Sequence, residues 1–185
     1  MTSTPQTLKY FDELKRTMEW LGEKDDTVFL GQAVSFPGTA MFNTVKDIRP
    51  DKLLEMPVAE EFQMGVSIGL AMAGSFPISI YPRWNFLLLA TNQIINHLDK
   101  LQSMNGPNNF KKVIIRTSVG SEQPLHPGHQ HVGDFSEAYK LMCKNINVVL
   151  LNEPDQVFGE YKKAYERNDG VSTILVEWGD FYNTK

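Results

Sequence analysis

Short, continuous apolar segments alternate with longer amphipathic segments along almost the whole chain. The apolar segments lie at residues 28–30, 53–54, 77–81, 113–116, 148–151 and 172–177. Strands that are buried on both faces read as continuous apolar runs, and segments with helical periodicity separate most of these runs. Such alternation is typical of a parallel sheet with helices on both faces. The sequence therefore predicts a three-layer α/β/α fold with a mostly parallel central sheet.

The segments between the apolar runs show the spacing of helices. Helices are expected over residues 8–21, from Glu60 onward, and over residues 86–104, 134–144 and 155–167. Asp134 and Glu137 are placed to form a capping box for the fourth of these helices. Gly65, Gly69 and Ala73 recur at every fourth position of the second, and such small residues let a helix lie close against a neighbour.

Length and charge narrow the class of protein. The chain of 185 residues fits one domain, so we expect residues 1–185 to form a single domain with a flexible segment at residues 1–6. It carries 18 basic and 22 acidic residues, and a formal net charge of −4 does not favour binding to nucleic acid or to an anionic membrane. No apolar run reaches the roughly 20 residues that a membrane span takes.

Residues and motifs that the sequence lacks exclude several kinds of functional site. The single cysteine, Cys143, excludes an internal disulfide and a thiolate-cluster metal site. The first residues lack the pattern of a secretory signal, so a cytoplasmic protein is expected. The first strand is not followed by GxGxxG, and the motifs GxxxxGK[ST], HExxH and GxSxG are missing. A nucleophilic triad is therefore not expected.

Glu60 is the first candidate for a functional residue. It begins a helix shortly after a strand, and parallel sheets bind ligands at the carboxyl ends of their strands. A second interpretation is that Glu60 only complements the helix macrodipole, a role that Glu61 could fill equally well. The position alone leaves both interpretations open.

Two aromatic residues form the second candidate. Trp84 and Phe86 follow the strand that ends near Tyr81. Aromatic side chains at such a junction commonly pack in the core, but they can also offer a stacking surface to a flat heterocycle.

A loop between residues 117 and 133 holds three of the four histidines and forms the third candidate. His126, His129 and His131 could bind a metal ion, since imidazole suits several transition metals. However, the loop has no cysteine or carboxylate at ligand spacing, and the nearest acid, Asp134, is better explained as a helix cap. Solvated or acid–base histidines are the alternative, because imidazole changes its charge near neutral pH.

Five segments of the chain carry a resemblance to a known family. Residues 28–34 (VFLGQAV) are similar to the family segment VFLLGEDV. Residues 56–60 (MPVAE) with 65–71 are similar to TPxxE with GxxIGxA, and residues 84–96, which begin WNF, are similar to FNF with AxDQxxN. Residues 113–120 are similar to VxxRxxxG, and residues 130–135 are similar to QHSQxF. In this order they resemble the pyrimidine-binding domain of thiamine diphosphate enzymes in the transketolase superfamily. The likeness extends over residues 8–182 and is greatest to the beta subunit of the E1 component of 2-oxo acid dehydrogenases.

The resemblance implies roles for the candidate residues. Glu60 matches the glutamate that hydrogen-bonds N1′ of the cofactor's aminopyrimidine, and Phe86 matches the aromatic that stacks on that ring. Either His131 or His129 matches the histidine that faces the substrate. The distance along the chain from Arg116 favours His129, whereas the neighbouring glutamine favours His131, which we prefer.

The resemblance also implies a cofactor and a partner. Thiamine diphosphate is the implied cofactor, and the superfamily holds its diphosphate through Mg²⁺ and a GDG…N motif in a separate domain. Residues 133–135 and 179–181 each read Gly-Asp-Phe and lack the second glycine of that motif. We therefore expect an alpha-type partner chain to hold the Mg²⁺, and the two kinds of chain to form a heterotetramer or a higher oligomer.

The chain departs from the family pattern in ways that bear on the substrate. Gln32 stands where the family has an acidic residue, Val132 replaces the usual serine after the histidine, and residues 145–147 replace a prolyl-glycine. Decarboxylation of a 2-oxo acid, with transfer of the activated aldehyde, is the implied reaction. Transketolase-type transfer is the nearest alternative, and Arg83 or Arg116 could bind a sugar phosphate, although Arg116 could also simply end a strand.

Two further alternatives belong to other functional classes. A non-catalytic interaction subunit could keep the same fold without turnover. A flavodoxin-like binding domain would share the alternating pattern, but the chain lacks a glycine-rich phosphate loop after its first strand.

Overall fold

Six strands form one central sheet. They are β1 (Thr27–Gly31), β2 (Leu53–Glu55), β3 (Phe76–Ile80), β4 (Ile114–Val119), β5 (Ile146–Leu150) and β6 (Ser172–Trp178). In the computed structural model, which describes residues 8–106, 109–123 and 126–184, all five strand pairings are parallel and the order is β2-β1-β3-β4-β6-β5. The predicted α/β fold is confirmed. The segment at residues 1–6, predicted to be flexible, lies outside the described residues.

The central strands are buried on both faces, which explains their uninterrupted apolar sequences. Every residue of β3 and β4 is buried. Neighbouring residues of β4 point to opposite sides, so Ile114 packs in one core and Ile115 in the other. On β6, Leu175 likewise packs in the first core and Ile174 in the second.

Helices cover both faces of the sheet. They are α1 (Tyr10–Gly22), α2 (Phe42–Val45), α3 (Glu60–Met72), α4 (Trp84–Leu87), α5 (Asp99–Asn105), α6 (Ser136–Met142), α7 (Pro154–Glu166) and α8 (Phe181–Thr184). Leu14 of α1 and Tyr161 of α7 belong to one core, whereas Met64 of α3 and Tyr139 of α6 belong to the other. Within the described segments, no helix has the length and apolar character needed to cross a bilayer.

The segment predicted as one helix over residues 86–104 is broken into shorter pieces. A 3₁₀ turn and a π-helical segment at Gln93–Leu98 separate α4 from α5. Leu98 and Asp99 are adjacent, yet both are buried: Leu98 packs in the core, and Asp99 Oδ1 accepts a hydrogen bond from the backbone N–H of Asn145 at 2.6 Å. The apolar pattern could not reveal this break, because the partner of Asp99 lies far along the chain.

The start of α6 also differs from its prediction. Asp134 precedes the N-cap residue, Phe135, and its Oδ1 accepts a hydrogen bond from the backbone N–H of Ser136 at 2.9 Å. Glu137 instead forms an ion pair with Lys140 at 2.7 Å. The predicted capping box is therefore not formed, because the N-cap residue makes no side-chain cap hydrogen bond.

One face of α3 is left uncovered. A Cβ atom placed on Gly65 or on Gly69 would meet no atom within 4 Å, and the side chains of Phe62 and Met72 are 55% and 50% exposed. The close helix contact that these glycines permit is not made within the described residues.

We expect Cys143 to be unreactive in the folded chain. Burial is the main reason that the pKa of its thiol rises to about 11, and the nearby Asp99 carboxylate adds to the effect. Because the thiolate is the reactive species, alkylation by iodoacetamide at pH 8 should run about a hundredfold more slowly than in the urea-unfolded chain. Equal rates, measured by mass spectrometry, would contradict this prediction.

Candidate active site

A cavity of about 450 Å³ lies at the carboxyl edge of the sheet. Its wall includes Gln32 after β1, Arg83 after β3, Gly120 after β4 and Gly179 after β6. Parallel strands end at the same edge, so residues from distant parts of the chain meet there. The strand order reverses between β1 and β3, and ligands of open α/β sheets bind in the crevice at such a switch point.

Glu60 is the first residue of α3 and lies behind the cavity wall. Its side chain is buried, with the residue only 4% exposed, and its Oε1 accepts a hydrogen bond from Nε2 of Gln32 at 3.3 Å. Its Oε2 has no hydrogen-bond partner among the described residues. Because Gln32 itself lines the cavity, it connects the Glu60 carboxylate to that space.

Glu61 occupies a different environment. It is exposed and borders a groove between α3 and α5, away from the cavity wall. From the sequence, Glu60 and Glu61 were equally suited to interact with the helix dipole. The structure distinguishes them by their different surroundings. Of these two carboxylates, Glu60 is the one that is hydrogen-bonded to a residue of the cavity wall.

The two aromatic candidates, Trp84 and Phe86, also differ in their surroundings. Trp84 is fully buried and packs against Tyr139, with ring centroids 4.8 Å apart, as the core interpretation predicted. Phe86 lines the cavity and is only partly buried, so its ring can contact a ligand.

The histidine loop brings His131, rather than His129, to Phe86. The ring centroids of His131 and Phe86 lie 5.6 Å apart. His131 is partly buried, and its buried Nδ1 has no hydrogen-bond partner among the described residues. His129 is exposed, and its ring contacts His126 at 5.4 Å instead. This packing distinguishes two histidines that the sequence spacing could not.

Backbone contact fixes the position of His131. A Cβ atom on Gly120 would lie 1.9 Å from the carbonyl oxygen of His131, so only glycine fits at this position. The turn after β4 and the histidine loop thus touch through their backbones, which sequence reasoning did not foresee.

Asp180 holds the beginning of the histidine loop. Its Oδ1 accepts hydrogen bonds from the hydroxyl of Ser121 at 2.8 Å and from the backbone N–H groups of Glu122 at 2.8 Å and Gln123 at 3.0 Å. Burial favours the neutral form, but these hydrogen bonds outweigh it, and the pKa of Asp180 lies below its usual value. The sequence feature that could have predicted this role is an acidic residue just after the last strand, at the same sheet edge as the loop.

Glu55 holds the loop on the opposite side of the cavity in a similar way. Its carboxylate accepts hydrogen bonds from the backbone N–H groups of Ala33, Val34 and Ser35 at 2.6, 2.9 and 2.8 Å. Ala33 adopts a left-handed backbone conformation with φ of +54°, which is unfavourable for alanine. The three hydrogen bonds stabilise this turn and thereby place Gln32.

Arg116 does not reach the cavity. It is fully buried and forms two hydrogen bonds with Glu177, Nε to Oε1 at 2.5 Å and Nη2 to Oε2 at 3.0 Å. Its Nη1 donates to Thr44 at 2.7 Å, and the hydroxyls of Tyr161 and Tyr182 donate to the same carboxylate. Arg116 therefore joins strands and helices in the core, and is not available to bind a sugar phosphate.

The described histidines of the loop are not grouped with acids that could complete a metal centre. Within residues 8–106, 109–123 and 126–184, no group of three or more His, Cys, Asp or Glu side chains is arranged to hold a metal ion.

Comparison with known families matches residues 6–179 to the family described as "Transketolase, pyrimidine binding domain". The chain belongs to this family. The beta subunit of the pyruvate dehydrogenase E1 component from Gracilaria tenuistipitata var. liui is 31% identical over 180 residues, which cover 95% of this chain and 54% of that protein. The 2-oxoisovalerate dehydrogenase subunit beta of Bacillus subtilis (strain 168) is 26% identical and covers 89% of this chain and 50% of that protein.

This member of the pyrimidine-binding family spans about half the length of the relatives it matches. A solved structure described as "Split gene transketolase, inactive beta4 tetramer" superposes with a TM-score of 0.69 over 93% of this chain and 52% of that chain. Its sequence identity is 20%, so this likeness bears on the fold alone. The family recognised from the sequence motifs is confirmed, while the roles of Glu60, Phe86, His131 and His129 stay predictions.

Proposed function

We propose that this chain is the pyrimidine-binding subunit of a split, thiamine diphosphate-dependent enzyme that acts on 2-oxo acids. The observation that carries the proposal is that a chain of this family gathers Gln32 with Glu60, Phe86 and His131 at one edge of its sheet. The similarity to two E1 beta subunits supports the substrate class.

The residues around the cavity suit an aminopyrimidine, which is a flat ring with hydrogen-bonding nitrogens. Phe86 offers an aromatic face to such a ring. Glu60 Oε2 and His131 Nδ1 both lack a hydrogen-bond partner among the described residues. Buried polar atoms are normally hydrogen-bonded, so an unpaired buried nitrogen on the ring beside Phe86 suggests that a ligand completes the site.

Each residue has a defined task in this proposal. The cofactor, when bound, supplies the electron sink needed to break a bond next to a carbonyl carbon. Glu60 shares a proton with N1′ of the pyrimidine through Oε2, while the Gln32 amide holds Oε1 in place. Phe86 orients the ring by stacking. His131 transfers a proton to or from the substrate, a task that imidazole performs near neutral pH.

An alpha-type partner chain completes the site in this proposal by holding the diphosphate and its Mg²⁺. The similarity to E1 beta subunits, and a sequence without a GDG…N motif, support a divided enzyme. The uncovered face of α3, with Gly65, Gly69, Phe62 and Met72, offers a surface for assembly into a heterotetramer or a higher oligomer. The cytoplasm is the proposed location.

Transketolase-type transfer of a two-carbon unit is the second candidate function. It is considered because a solved structure with the same fold is described as a split gene transketolase. A non-catalytic subunit with the same fold is the third candidate.

Reconstitution tests the proposed function. We expect the purified chain, mixed with its alpha-type partner, thiamine diphosphate and Mg²⁺, to release CO₂ from pyruvate or from a branched 2-oxo acid, and each single omission to abolish release. Ketose cleavage without CO₂ release would favour the transketolase candidate. A stable complex that turns over neither substrate class would contradict the proposal and favour the non-catalytic one.

A further inference from the structure

Arg83 differs from the other arginines of the chain in its charge environment. Each of the other four has a carboxylate oxygen within 4 Å: Arg16 pairs with Glu13, Arg49 with Asp51, Arg116 with Glu177 and Arg167 with Asp169. Within the described part of the chain, no carboxylate oxygen lies that close to Arg83. Among those residues, its positive charge therefore has no counter-ion.

The free charge of Arg83 faces the candidate active site. Among the described residues that line the cavity, Arg83 is the only one with a charged side chain. The other polar side chains of the lining, such as Gln32, Thr39 and Ser121, are neutral. A partly buried cation such as Arg83 interacts with an anion more strongly than a cation in bulk water does.

The side chain of Arg83 is also held beside the aromatic residue of the site. Its guanidinium carbon lies 5.9 Å from the ring centroid of Phe86. Its Cδ lies 3.6 Å from the point where a Cβ atom on Gly120 would stand, so the aliphatic stem passes over this glycine. Since His131 contacts the same phenylalanine, an anion bound by Arg83 would lie near the proposed proton-transfer group.

We propose that Arg83 binds the anionic group of the substrate, a carboxylate or a phosphate, and so restricts the site to anionic substrates. This inference rests on the proposed function and names the group that its substrate must carry. The planar guanidinium presents parallel N–H donors that match the paired oxygens of either group. A 2-oxo acid carries its carboxylate on the reacting carbonyl, whereas a sugar phosphate carries its anion at the other end of the molecule.

A binding experiment tests the inference without cofactor or partner chain. The ¹⁵N-labelled full chain is titrated with pyruvate, with inorganic phosphate and with uncharged methyl pyruvate, while the Arg83 Nε–H and Gly120 N–H resonances are followed by NMR. We expect saturable shifts with pyruvate or phosphate and none with the ester. Arg83→Met should weaken anion binding about 10- to 100-fold, as loss of a charged hydrogen-bonding group does.

The matched control is Arg49→Met, which removes an exposed arginine that is paired with Asp51, and it should bind anions as the wild type does. The inference is overturned if the wild-type chain binds neither anion, or if Arg83→Met binds them equally well. Because this experiment needs no turnover, its outcome is independent of whether reconstitution yields an active enzyme.

Kinetics of the reconstituted complex distinguish the two sources of the anion. If Arg83 holds a carboxylate, Arg83→Met raises the KM for pyruvate about 10- to 100-fold and leaves that for methyl pyruvate unchanged. If it holds a phosphate, the KM for fructose 6-phosphate rises and that for fructose does not. An unchanged KM for every anionic substrate that the complex accepts would overturn the inference.

Discussion

Replacing Glu60 by glutamine should reduce the turnover number of the reconstituted enzyme by about 10²- to 10⁴-fold, the usual contribution of a general acid–base group. Glutamine has nearly the same shape, so Oε1 can still accept the hydrogen bond from Gln32 Nε2. It cannot share a proton with a ring nitrogen, because its amide does not ionise. Steady-state CO₂ release from pyruvate measures the effect.

Glu61→Gln provides a matched control on the same helix turn. It removes the same charge from the first turn of α3, but at an exposed residue that borders the groove toward α5. We expect its turnover number to stay within about twofold of the wild type, because a helix-dipole interaction is worth less than 1 kcal/mol at an exposed site. Equal losses in both variants would mean that helix electrostatics, rather than proton sharing, explain the effect.

Arg116→Met should lower the free energy of unfolding by about 3–5 kcal/mol, the range found when one partner of a buried ion pair is removed. The substitution leaves the carboxylate of Glu177 fully buried, with the hydroxyls of Tyr161 and Tyr182 as hydrogen-bond donors but without a neutralising charge. Urea unfolding followed by far-ultraviolet circular dichroism measures the change.

Two further variants test whether the loss of stability in Arg116→Met comes from the buried ion pair. Arg49→Met breaks an exposed ion pair with Asp51 and should unfold close to the wild-type midpoint. The double variant Arg116→Met/Glu177→Leu removes both buried charges and should recover part of the lost stability. If Arg116→Met unfolds like the wild type, or if the double variant is less stable than the single one, the ion pair does not act as described.

The sheet could be predicted from the sequence because its strands are buried on both faces and thus read as apolar runs. The same reasoning failed within residues 86–104, where Asp99 binds the backbone of Asn145 and the helix is broken. Local periodicity holds no information on such distant partners. Asp180 and Glu55 escaped notice for the same reason, since each binds backbone groups of a loop far away in the sequence.

The candidate site was predicted in part. Motif order singled out Glu60 and Phe86, and the structure places both at the predicted sheet edge. Spacing could not decide between His129 and His131, because loop length varies independently of the strands. Packing of His131 against Phe86 distinguishes them. The sequence likewise could not show whether Arg83 or Arg116 is free to bind an anion. This depends on which arginine is paired with a carboxylate in the folded chain, and Arg116 is paired with Glu177.

The position of β6 between β4 and β5 has a consequence for the newborn chain. In the sheet, β5 pairs only with β6, which follows it in the sequence by 21 residues (151–171). At ribosomal speeds, β5 is therefore synthesised about one to four seconds before the strand that pairs with it. Synonymous codons that slow translation over this stretch should lengthen the period in which an unsatisfied strand can aggregate, and chaperone capture should concentrate there.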